Sequence, residues 1–95
     1  IRDSSVTGFR RVLFRSLIVP HCWKTGIGIA ASAHLAAAIP HCPFIEFLPA
    51  SLCDSALRRE LVADELEFKD GLLALPKKPG LGVELNWDAL KKYKV

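Results

Sequence analysis

Residues 17–47, LIVPHCWKTGIGIAASAHLAAAIPHCPFIEF, decide the fold class. The run opens with Leu17, Ile18 and Val19, three apolar residues with no polar alternation. That pattern fits a strand buried on both faces, as in a parallel sheet. Pro20 has no backbone N–H to offer a ladder and ends the strand, and His21 follows at once. Cys22 to Gly26 read as the loop after it. A helix is expected from about Gly28 to Ala38, where alanine, the strongest helix former, predominates. Ile29, Ala33, Ala36 and Ala37 share one broad face at 3.6-residue spacing. Pro40 stops the helix, and Phe44 to Phe47 resume an apolar strand with Glu46 at its end. Strand, helix and strand in this span suit a right-handed βαβ unit with two parallel, neighbouring strands. In α/β folds the chemistry gathers at the carboxyl ends of such strands. His21 and Glu46 both fall there, 25 positions apart.

Downstream, Ser51 to Leu61 (SLCDSALRREL) reads as a short amphipathic helix with Asp54 or Ser55 as N-cap. Leu66 to Lys69 and Leu72 to Leu75 flank Asp70-Gly71, a strong hairpin signal. The run PKKPGLG over 76–82 is a loop. Asn86 caps a last helix from Trp87 to about Tyr93, with Lys91, Lys92 and Lys94 near its negative end. No internal repeat is present. Two parallel strands cannot cover both faces of a parallel sheet, so the pattern asks for a larger parent.

The chain has 95 residues, enough for one small domain, but contains no methionine and begins with Ile1, which is expected of a piece of a longer polypeptide. Net charge is +3, and the excess sits in residues 1–16, where Arg2, Arg10, Arg11 and Arg15 face Asp3 alone. Residues 17–95 carry 9 basic and 9 acidic groups, which gives the part expected to fold no electrostatic case for nucleic acid. The run VTGFRRVLFRS resembles a translated sequencing-library adapter. Residues 1–16 are therefore expected to be a non-native, disordered lead, excluded from fold reasoning. The alternative is a small non-enzymatic binding module whose basic arm contacts nucleic acid. Three cysteines, Cys22, Cys42 and Cys53, are an odd number, so reduced thiols in a cytoplasmic setting are expected. The weakly polar run over 26–40 is too short to span a bilayer. His41-Cys42 with Cys53 fits no common zinc spacing. His34 is expected to pack on or beside its helix, Trp87 to pack the last helix, and Lys77-Lys78 and Lys91-Lys92 to be solvated.

The runs PHCWKTGIGIAASAHLAAAIPHCPFIEF, LRREL and LEFKDGLLALPKKPGLGVELNWDAL resemble the C-terminal end of the enolase superfamily, in its mandelate racemase and muconate lactonizing branch. The resemblance implies a modified (β/α)8 TIM-type barrel with a separate α+β capping domain. Residues 17–50 would then be barrel strand 7, helix 7 and strand 8. Residues 51–95 would be the post-barrel helix, hairpin and last helix returning to the cap. A whole barrel needs roughly 250 residues.

The same resemblance implies chemistry. The family abstracts the proton next to a carboxylate, with Mg2+ stabilising the enolate. His21 matches the histidine at the end of strand 7 and would be the general base, later an acid. Glu46 matches the acid at the end of strand 8 that hydrogen-bonds the substrate carboxylate, and it would have to be protonated to donate. The loop after His21 is longer than in mandelate racemase and resembles that of acid-sugar dehydratases, so Trp23, Lys24 and Thr25 would shape a substrate pocket. The metal carboxylates, the second base and the acid that orients the histidine lie upstream in the family. No metal ligand is expected in this chain, and no activity from it alone. The expected partner is a small acid-sugar carboxylate, without nucleic acid or membrane, in a homo-oligomeric parent.

Overall fold

The computed structural model describes residues 16–49, 51–52 and 55–95. The expectations for residues 1–15, including the basic arm, and for Cys53 and Asp54 lie outside the described residues. Helix α1 spans Gly26–Ala38 and starts two residues before the expected boundary. Its cap is Thr25, in extended backbone, whose Oγ1 accepts from the Gly28 N–H at 3.3 Å. That satisfies one of the orphan donors of the first turn, so both glycines belong to the helix rather than to the loop. Gly26, Ile29, Ala30 and Ala33 are buried, the i, i+3, i+4, i+7 stripe of one face. Ala36 is only half-buried and Ala37 is exposed, against expectation, because the cover on this face thins beyond Ala33. Gly26 is needed for close approach: a Cβ there would sit 2.5 Å from Val62 Cγ2.

The two expected parallel strands, Leu17–Val19 and Phe44–Phe47, are reduced to a single parallel bridge between His21 and Glu46. The Glu46 N–H donates to the Pro20 carbonyl and the Ile18 N–H to the His41 carbonyl, each at 3.0 Å. The parallel direction holds, but the ladder does not propagate, since among the described residues no other strand flanks either segment. The expected burial on both faces also fails: Leu17 is 66% and Phe44 70% exposed.

Helix α2, Ala56–Leu61, is shorter than expected, and Ser55 Oγ caps it by accepting from the Arg58 N–H at 3.4 Å. Strands β1 (Phe68–Lys69) and β2 (Leu72–Leu73) pair antiparallel, Phe68 with Leu73 and Lys69 with Leu72. Asp70 (φ 53°) and Gly71 (φ 76°) both lie in the left-handed region, as a two-residue I′ turn requires. Helix α3, Trp87–Lys92, is capped by Asn86 Oδ1, which accepts from the Ala89 N–H at 3.3 Å. Trp87 does not pack this helix as expected and is 63% exposed; Ala89 is the residue α3 buries. An antiparallel bridge, Val62 with Leu85, joins the end of α2 to the approach to α3.

The core gathers Ile29, Ala30, Ala33 and Leu66, with Ile45, Phe47, Leu73 and Val83 packed against it. Phe47 and Phe68 stack at 5.1 Å, which fastens the hairpin to the segment that carries Glu46. Among the described residues, 15 large apolar side chains are exposed against 7 buried apolar ones, so more apolar surface is left uncovered than this core absorbs. No helix among the described residues is long and apolar enough to cross a membrane.

Candidate active site

The parallel bridge brings His21 and Glu46 side by side. Successive strand residues point to opposite faces, so two residues opposed in a parallel register share a face. His21 Nδ1 lies 3.4 Å from Glu46 Oε2, with the side chains 60% and 51% exposed. Trp23 folds back over the imidazole, ring centroids 5.2 Å apart and planes tilted by 35°. Of the five residues expected at the site, these three meet. Lys24 is exposed on the same loop. The hydroxyl of Thr25 is engaged in capping α1, which corrects its expected place in a substrate pocket.

The other candidate ligands lie apart from the pair. His34 Nε2 donates to the Leu81 carbonyl at 2.9 Å and ties α1 to the 76–82 loop. Cys42 Sγ donates to the Phe44 carbonyl at 3.3 Å, and Cys22 and Cys42 are free, half-buried thiols. Among the described residues no group of three or more His, Cys, Asp or Glu could hold a metal ion. Magnesium demands near-octahedral oxygen coordination. One carboxylate beside an imidazole does not fit it, so no chemical step is assigned to a metal here.

Arg58 was not singled out from the sequence, yet it sets the position of the Glu46 segment. It is 1% exposed. Its Nη1 donates to the Leu48 carbonyl at 2.6 Å and its Nε to Glu65 Oε1 at 2.9 Å. Its guanidinium also lies over the Phe47 ring, 5.4 Å from the centroid. The signal for it was the spacing: Arg58, Leu61 and Val62 are i, i+3, i+4, one helical face.

Comparison with known proteins decides the family. The enolase C-terminal domain-like family model matches residues 13–89. The chain belongs to the enolase C-terminal domain-like family. Within the family it is 35% identical over 86 residues to D-galactarolactone cycloisomerase of Agrobacterium fabrum, covering 82% of this chain and 22% of that protein. It is 45% identical over 67 residues to muconate cycloisomerase 1 of Rhodococcus opacus, covering 70% and 17% respectively. Arabinonate dehydratase of Saccharolobus solfataricus is 31% identical over 77 residues, covering 81% and 20%. The chain thus spans about a fifth of the length of the curated relatives it matches. No solved structure matches it significantly.

Proposed function

We propose that this chain carries the ends of the seventh and eighth barrel strands of an enzyme that abstracts the proton α to a carboxylate. Residues 17–50 would contribute the last strand–helix–strand of the barrel and residues 51–95 the return to the cap. The most fitting reaction is dehydration or epimerisation of an acid sugar, with relatives named as dehydratase and cycloisomerase in support. The observation that carries the proposal is the meeting of His21 with Glu46, at 3.4 Å, at the carboxyl end of a parallel pairing.

In this reading the neutral imidazole of His21 takes the α-proton, and the electron pair moves into the substrate carboxylate. Glu46, protonated, donates a hydrogen bond to that carboxylate as charge grows on it. Returning the proton on the same carbon gives epimerisation. Delivering it to a departing β-hydroxyl gives dehydration. Both outcomes need His21 exposed on the substrate side, which its accessibility allows. Trp23, beside the ring, supplies an apolar wall for the carbon chain.

The test uses the full-length enzyme with acid-sugar substrates in deuterated water. Replacing His21 by Asn is expected to lower exchange of the α-proton on one face by about 10²–10⁴-fold, the usual worth of a positioned base. Exchange that persists at the original rate on that face would remove His21 from the reaction.

A further inference from the structure

We infer that Glu46 fixes the tautomer of His21, so that Nε2 is the atom left free to take a proton. The ring nitrogen facing the carboxyl group is Nδ1, 3.4 Å from Glu46 Oε2. That oxygen accepts, so the contact is attractive when Nδ1 carries the hydrogen. In a neutral imidazole the lone pair then sits on Nε2. The result is the same whether Glu46 is ionised or holds a proton on Oε1, because Oε2 accepts in either form. Glu46 can therefore serve His21 through one oxygen and a substrate through the other.

The arrangement is built by the backbone. The parallel bridge and the bond from the Glu46 N–H to the Pro20 carbonyl, at 3.0 Å, hold the two residues in register. Trp23 covers the imidazole from the side, 5.2 Å away, and restricts its rotation. The contact is longer than a closed charge-assisted hydrogen bond of about 2.7–2.9 Å. Catalytic hydrogen bonds are often loose in unliganded sites and tighten with substrate. Glu46 is thus a positioning residue for His21, in addition to its proposed contact with substrate.

The catalytic meaning of this inference rests on the proton-abstraction reading, but its test needs no substrate. Protein labelled with 15N at histidine is examined by long-range 1H–15N correlation at about pH 9, where an ordinary imidazole is neutral. His34 is the internal reference. Its Nε2 faces the Leu81 carbonyl, which can only accept, so it carries the hydrogen on Nε2. His21 is expected to show the opposite pattern, with hydrogen on Nδ1. Glu46→Gln and Glu46→Ala are both expected to shift His21 towards the Nε2–H form and to leave His34 unchanged. The unchanged His34 signal also reports that α1 and the 76–82 loop remain docked. Glu46 is half exposed, so neither variant opens a hole in the core. A wild-type His21 with its hydrogen on Nε2, or a tautomer ratio unmoved by both substitutions, overturns the inference. If the tautomer is as expected and the α-proton exchange survives His21→Asn, the reaction falls and the positioning stands.

Discussion

At the scale of the residue, Arg58 has no exposed charge to spend on solvent, and three groups depend on it. Removing it leaves the Leu48 carbonyl and the Glu65 carboxylate without their donor and the Phe47 ring without its cover. Arg58→Ala is expected to destabilise the protein by about 3 kcal/mol, the lower end for a broken buried pair because Glu65 is part-exposed. Urea unfolding of the two proteins measures it, and a change within a few tenths of a kcal/mol would deny Arg58 this role. Gly26 makes the opposite case. Alanine normally gains about 0.5–1 kcal/mol over glycine inside a helix. Here the added methyl would press on Val62 Cγ2, at 2.5 Å, on a buried and stiff side chain. Gly26→Ala is therefore expected to lose about 1–3 kcal/mol, as overpacked cores do; a gain would mean that α1 and Val62 are not in contact. Neither residue announced itself in the sequence. An arginine is rarely buried, and burial is a property of what surrounds it.

At the scale of the element, what is local was legible and what is paired at long range was not. Ser55 and Asn86 cap their helices as their positions implied. Asp70-Gly71 makes the hairpin because only two residues need the left-handed region, and both tolerate it. Gly71→Ala is expected to destabilise the protein by about 1–2 kcal/mol, the cost of a Cβ in that region, read as a lower thermal midpoint. Thr25 was assigned to a pocket because its loop drew attention, although a threonine before a helical run is also a cap. Thr25→Ala should lower stability by about 1 kcal/mol; an unchanged melting curve would return Thr25 to the pocket. The two strands were over-read for a physical reason. Three apolar residues state a preference for burial, but a ladder forms only where partners lie alongside. His21 and Glu46 were legible because the direction of the crossover, rather than the length of the strands, brings them together.

At the scale of the whole molecule, helices α2 and α3 are joined by one carboxylate. Lys92 Nζ donates to Glu60 Oε2 at 2.9 Å, and the Tyr93 hydroxyl donates to the same oxygen at 3.1 Å. The Lys92 hydrogen bond chiefly holds the Glu60 carboxyl below the ordinary carboxylate range, and the same bond chiefly holds the Lys92 ammonium above the ordinary lysine range. A lowered carboxyl contributes stability above its unfolded value and loses it as acid protonates the folded group. A raised ammonium contributes below its unfolded value and loses it as alkali deprotonates the folded group. Stability is expected to be flat between those ranges and to fall at both ends. Glu60→Gln should flatten both falls, and salt should weaken them, since the groups face solvent. Melting midpoints across pH at two salt concentrations check this, and identical profiles for wild type and variant would discard the pair as a link. The bridge between His21 and Glu46 has a different kind of consequence, one of counting. Because neighbouring strand positions alternate between faces, one residue gained or lost between Ile39 and Ile45 would present Ile45 or Phe47 to the imidazole in place of the carboxyl group. That short stretch can change in composition but not by a single residue in length, whereas the turn over 76–82, which meets α1 through one carbonyl, is free to lengthen.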